Sequence, residues 1–177
     1  MLLTQTITAL GNEPVTVAEV KVSARIDDDI TELDEQIKTL IASTRLMAEH
    51  ECERGFLPHT LQLGFTGWPE GWQTTDPLAS LEGVQALGVS GWIDVAGFEL
   101  LQFEPGRWCL MAPDALPDLL DQEGERVRVT VKVGCPTNVR SYIIAMAVHQ
   151  LTTASAARPT NPPAYLAGLL DRERNWA

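Results

Sequence analysis

Positive charge is scarce in this chain. Its 177 residues carry 13 Lys and Arg against 24 Asp and Glu, giving a net charge of −11 and a pI near 4.6. A protein that grips nucleic acid phosphates needs clustered Lys and Arg, so that class is excluded. A negative wall is nevertheless compatible with DNA sliding past without sticking. Cysteine is sparse as well: Cys52, Cys109 and Cys135 are an odd number at wide spacing, which fits reduced thiols in a cytosol rather than a disulfide framework. Long apolar runs are also lacking. The uncharged stretch Ser141–Ala157, between Arg140 and Arg158, is short for a membrane span and holds His149, Gln150, Thr152, Thr153 and Ser155. It reads as a buried core helix, with no membrane partner. Met1–Leu10 has neither a basic flank nor an apolar centre, so it does not read as a signal peptide.

Recognisable chemistry is missing too. Neither GxxxxGK[ST] nor GxGxxG occurs, and Gly83, Gly88, Gly91 and Gly97 are spread through strand and turn signals. His50, Cys52 and His59 bring together metal-ligating types, but their spacing matches no usual zinc pattern and a fourth ligand is not apparent. Asp27, Asp28, Asp29 and Glu32 lack the glycine and terminal glutamate of an EF-hand loop, and helix capping accounts for them. No Ser or Cys nucleophile motif lies near His149. Trp68, Trp72, Trp92, Trp108 and Trp176 have no stacking spacing and read as core or interface residues. The expectation is a protein with no catalytic residues, no cofactor and no metal.

What the chain does have is an ordered series of helix and strand signals. Leu33, Ile37, Leu40, Ile41, Thr44 and Ala48 form one stripe at the helical period, opposite Glu32, Glu35, Lys38, Arg45 and Glu49. The spacing predicts a helix over 31–54, roughly 36 Å long, started by a capping-box-like Thr31/Asp34 and stopped by a left-handed Gly55. Thr16 and Glu19 have the same capping spacing ahead of a short helix over 16–24, ending near Arg25. Strand signals follow. Leu61, Leu63 and Phe65 alternate with polar residues and glycine, and Val127, Val129, Val131 and Val133 alternate with Arg128, Thr130 and Lys132. Val84–Ile93 and Phe98–Phe103 flank Asp94–Gly97, which reads as a hairpin turn, and Arg107–Met111 is a further strand. An almost uncharged helix over 138–157 completes the core. Arg158–Pro163 then breaks the chain ahead of a short helical segment, Ala164–Trp176, of the kind that docks on something else.

The length suits one core. The fold class is α+β, mainly helical, with helices at both ends packed together around a β-rich insertion (hairpin or small antiparallel sheet, residues 60–133) and a C-terminal arm. Residues 1–158 form the expected domain and 159–177 the arm. Charge is uneven along the chain: residues 1–35 hold eight acids against Lys21 and Arg25, whereas residues 136–177 hold four arginines against Asp171 and Glu173. Ends of opposite sign suit head-to-tail contact between copies, although a solvated acidic face is the plainer reading.

The order of these motifs resembles the head–tail connector (adaptor, or head completion) proteins of tailed double-stranded DNA phages. The resemblance is carried by Pro14–Glu19, Arg25–Asp29, the long helix into Arg54–Leu57, the strand Val127–Gly134 and the helix from Val139 to Leu151, and covers roughly residues 13–157. Lys21–Ala24 departs from it, being less apolar than such a helix end should be, and Gly83–Gly97 is looser. The resemblance implies a structural virion protein assembled in the host cytoplasm, forming a ring of about a dozen copies beneath the portal protein. It would extend the DNA channel, help retain DNA without binding it specifically, and meet a stopper or tail-completion protein. The expected interface residues are Asp27, Asp28, Asp29, Glu32 and Glu35 toward the lumen or a subunit seam, and Tyr165, Leu169, Arg172, Arg174 and Trp176 toward the portal. Three alternatives stay open: another neck component, a cytosolic binding or regulatory module, and a small enzyme, which would need His149, Cys135 and an acid to meet in a cleft.

Overall fold

The computed structural model describes residues 1–74, 76–104, 107–153 and 163–174. Two compact units share the chain: a β unit of Met1–Gly11 with Pro58–Gly134, and a helical unit of Asn12–Leu57 with Cys135–Ala177. The class is α+β, as expected, and Leu2–Leu10 adds a strand, β1, that the sequence pattern leaves unassigned.

In the helical unit, α1 (Val17–Ala24) opens with the expected box. Thr16 Oγ1 accepts from the Glu19 amide, while Glu19 accepts from the Thr16 amide at 2.8 Å. Arg25 closes the helix in the left-handed region at φ 57°. The next helix, α2, spans Asp34–Cys52, about 28 Å, rather than 31–54. Thr31 and Asp34 form no box. Leu33 is the N-cap and has no polar side-chain atom to cap with, while the Asp34 carboxylate is taken by Lys21 Nζ at 2.6 Å. Nor does Gly55 stop the helix: Glu53 does, at φ 53°. Ile37, Ile41, Thr44, Ala48 and Cys52 are buried along the predicted stripe. They pack with Val139, Tyr142, Ile143, Met146 and Ala147 of α3 (Thr137–Thr153), where the absence of charge after Arg140 allows burial on most sides. The predicted last turn of this helix, 154–157, lies outside the described residues. A short α4 (Ala164–Gly168) adds Leu166, followed by Leu170, to the same cluster. Among the described residues no helix is long and apolar enough to cross a membrane.

The β unit holds a five-stranded antiparallel sheet in the order β1, β2 (His59–Phe65), β8 (Val127–Val133), β4 (Leu78–Gly88), β5 (Gly91–Asp94). A three-stranded sheet follows the order β3 (Gln73–Thr74), β7 (Arg107–Met111), β6 (Glu99–Glu104). Val127, Val129 and Val131 of β8 are fully buried, each such side chain contributing about 1.5–3 kcal/mol. They share their face with Leu61, Leu63 and Phe65, which stand directly opposite them. The hairpin turns one element earlier than the sequence suggests. β4 and β5 meet at Gly88 and Gly91 around Val89 and Ser90, with Gly91 supplying the positive φ (119°). Asp94–Gly97 instead carries the chain toward the second sheet, and β6 pairs with β7.

The capping box gives a small pH effect. Glu19 is held below its ordinary carboxyl value, chiefly by the Thr16 amide, against burial and with help from the Thr16 hydroxyl and Arg140. A depressed carboxyl stabilises the fold above its unfolded value and loses that contribution as pH falls through the folded value. Glu19→Gln is therefore expected to cost about 1 kcal/mol at neutral pH, solvent screening included, and progressively less as pH falls below the ordinary carboxyl range. Urea unfolding at neutral and acid pH measures the difference.

Candidate assembly surfaces

The acidic segment between α1 and α2 is shaped by one cation. Lys21 is 4% exposed, and its ammonium lies beside the Asp34 carboxylate and donates to the Asp28 carbonyl at 3.3 Å. This explains the polar residue where the phage-connector pattern is apolar. With its backbone tied down there, the segment turns Asp27, Asp28, Asp29, Glu32 and Glu35 into solvent. Glu35 also accepts from Lys38 at 2.6 Å, and that bond is the main reason the Lys38 ammonium is held above its usual value. The five expected acids thus form one exposed negative stretch.

The C-terminal segment divides. Tyr165 and Arg172 point outward. Leu169 packs against the helical core, and its carbonyl accepts from Asn138 Nδ2 at 2.9 Å. Arg174 is half-buried and reaches Glu51 at 3.3 Å and Asp171 at 3.7 Å, while Glu173 bonds Arg54 and Asn138. Residues 163–174 are therefore held on their own helical unit, leaving Tyr165 and Arg172 as the outward part of the expected surface. Trp176 lies outside the described residues.

The candidate chemical groups stay apart among the described residues. Among the described residues no group of three His, Cys, Asp or Glu is placed to hold a metal. Cys52 is buried with its Sγ 3.9 Å from the Leu170 carbonyl, and burial pushes its thiol above the ordinary range. Burial pushes Cys135 up to about 12, which keeps it protonated and a poor nucleophile. Cys135 precedes α3 and His149 lies near the far end of that helix, roughly 20 Å away at helical rise. A groove of about 430 Å³ between Leu81–Val84 and Asp94–Phe98 carries Glu82 and Asp94 but no His or Cys, and Asp94 is engaged by Gln85 at 2.9 Å. Four tryptophans are used in packing: Trp68 stacks on Phe98, Trp72 meets Phe65 edge-on, Trp108 packs on the β core, and Trp92 lies under Arg128, 3.8 Å from its ring centroid.

Sequence reasoning passed over another surface. Every residue of β1 is exposed, including Leu2, Leu3, Ile7 and Leu10, although β1 pairs with β2 along its length, with register shifts at Leu3 and Thr8. The signal was present in Thr4-Gln5-Thr6-Ile7-Thr8, a β-branched, alternating run without charge.

No family model and no curated protein matches the chain. Solved structures do. The fold is similar to a chain from the neck of an empty gene transfer agent (GTA) particle computed with C6 symmetry, with a TM-score of 0.61 and 19% identity over 97% of this chain and 95% of that one. It is similar to a chain of the native GTA virion, with a TM-score of 0.60 and 18% identity over 97% and 95%. A chain from the neck of the native particle computed with C12 symmetry gives 0.56 and 18% over 96% and 94%. At such identities the likeness is one of fold, and it spans both units.

Proposed function

We propose that this chain is a structural neck protein, a ring-forming connector that joins a DNA-filled head to a tail. The observation that carries the reading is the fold shared, over 97% of the chain, with a component of a particle neck computed with C6 symmetry. The sequence resemblance to phage connectors points the same way from independent grounds. In this reading about a dozen copies sit beneath the portal protein, extend the DNA channel and help retain DNA. Residues 1–158 act as the connector body and residues 159–177 as its arm. The exposed Asp27, Asp28, Asp29, Glu32 and Glu35 line the lumen or a subunit seam, where negative charge lets DNA pass without adhering. Tyr165 and Arg172 meet the portal, and a stopper or tail-completion protein follows on the other side. The role needs no catalytic group and no cofactor.

The test is native mass spectrometry of the purified chain, alone and mixed with the portal ring of the same genome. A closed ring, or a complex near one copy per portal subunit, is the expected result. A monomer that ignores the portal would sink the connector role and favour another neck position or a regulatory module. Asp28→Asn/Asp29→Asn/Glu32→Gln is expected to alter ring assembly or DNA retention, and Tyr165→Ser/Arg172→Glu to weaken portal binding at least tenfold, about 1.4 kcal/mol. If the triple neutralisation leaves both properties unchanged, the acidic stretch has no role at the seam or lumen.

A further inference from the structure

The five-stranded sheet has an apolar face that runs from edge to edge. Reading straight across it, Leu2 stands opposite Phe65, Phe65 opposite Val127, Val127 opposite Ala86, and Ala86 opposite Ile93. The row between holds Gln5 opposite Leu63, then Val129 and Val84, and the next apolar row, Ile7, Leu61, Val131 and Leu81, crosses four of the five strands. The inner members Phe65, Val127, Ala86, Leu61 and Val131 are at most 2% exposed, whereas the ends stay open: Leu2 at 38%, Ile7 at 54% and Ile93 at 45%. Both edges also carry a row of backbone N–H and C=O groups with no strand beside them among the described residues.

Natural edges are usually blunted with lysine, proline or inward charge. Here β1 has none of these across Leu2–Leu10, its register shifts against β2 being the only irregularity, and β5 has a single charge, Asp94, already held by Gln85. With −11 on every copy, self-association is repulsive wherever charged faces meet. Edges with so little charge are where copies can approach.

We propose that the free edge of β5 in one copy adds to the free edge of β1 in the next, so that the five-stranded sheet and its edge-to-edge apolar row continue from copy to copy. The occupant of each edge is a second copy of this chain. The two edges differ, so the contact is head-to-tail and propagates, closing a ring if the rotation closes. Pairing β1 with its own counterpart would stop at a two-fold dimer. The proposal rests on the ring reading and names the surfaces that would build it.

The experiment uses Ile7→Lys and Ile93→Lys, each at an exposed side chain, with far-ultraviolet circular dichroism and the thermal midpoint confirming an unchanged fold. Native mass spectrometry over a concentration series, with the portal ring absent and present, reads assembly. Wild type should form higher oligomers, and each variant alone should self-associate on the order of a hundredfold more weakly. Mixed in equal amounts, the variants should give a one-to-one heterodimer and nothing larger, because the Ile7→Lys copy retains a sound β5 edge and the Ile93→Lys copy a sound β1 edge. If both variants assemble as wild type does, the sheet edges are not the seam, although the ring reading survives. Should only Ile7→Lys lose assembly, β1 pairs with itself and the head-to-tail contact is wrong. A wild type that stays monomeric in every condition overturns both the ring and this interface.

Discussion

Replacing Lys21 by alanine is expected to lower the stability of the helical unit by about 3 kcal/mol, the lower part of the range for breaking a buried ion pair. The magnitude follows from two unequal environments. The lysine side chain is 4% exposed, so its stem packs as an apolar group while its ammonium has left water. Its partner Asp34 is 31% exposed and recovers much of its hydration once the lysine is gone. Lys21→Met keeps the stem and removes the charge, so it is expected to cost about 1–2 kcal/mol. The difference between the variants separates packing from ion pairing. Urea titration followed by far-ultraviolet circular dichroism measures both. Hydrogen exchange adds a local reading: the Asp28 carbonyl loses its ammonium donor, so amides of the acidic segment should exchange faster in either variant. If both cost less than 0.5 kcal/mol, roughly the ordinary range for surface substitutions, the segment is held by something other than Lys21.

The same residue shows how far the sequence could be read. Periodicity locates α2 and β8 because each buries a face at a fixed period, Val127–Val133 having the alternation of a one-sided strand, while α3 is marked by its uncharged run. The first capping box was legible because Thr16 and Glu19 are near in sequence and need no third group. Thr31 and Asp34 have equal spacing and fail, since Lys21 captures the aspartate from another helix and moves the start of α2. Gly55 looks like a stop, yet Glu53 takes the left-handed position. The hairpin was misplaced because glycines occur on both sides of β5, and only pairing with β4 decides which of them turns. The exposure of the acids is legible as local charge. The bonds that tie Leu169 and Arg174 to their own unit are not, because their partners Asn138 and Glu51 are distant in sequence. β1 escaped for a related reason: its β-branched run carries a strand signal, but a strand exposed on both faces lacks the buried apolar face that marks β8.

Glu49→Ala is the other change with a large expected effect, about 3 kcal/mol, because one carboxylate closes the end of α2. Glu49 Oε1 accepts from the amides of Phe56 and Leu57 at 2.8 and 3.1 Å, and Oε2 accepts from Arg45 at 2.7 Å. Arg45, 11% exposed, also donates to both carboxylate oxygens of Glu13, at 2.8 and 3.2 Å. Its guanidinium is held above its ordinary value chiefly by Glu13, against burial and with Glu49 contributing. These bonds seat Phe56, the largest fully buried side chain, beside the helical core. Alanine removes an acceptor from two part-buried amides, each worth about 1–3 kcal/mol when left unpaired, but solvent reaching the loop limits the total. Glu49→Gln keeps an oxygen for those amides and gives up only the charge toward Arg45, which Glu13 still neutralises, so about 1 kcal/mol is expected. Unfolding titrations of the two variants therefore rank the roles. A glutamine variant as damaged as the alanine one would mean that charge, not amide capping, closes the turn.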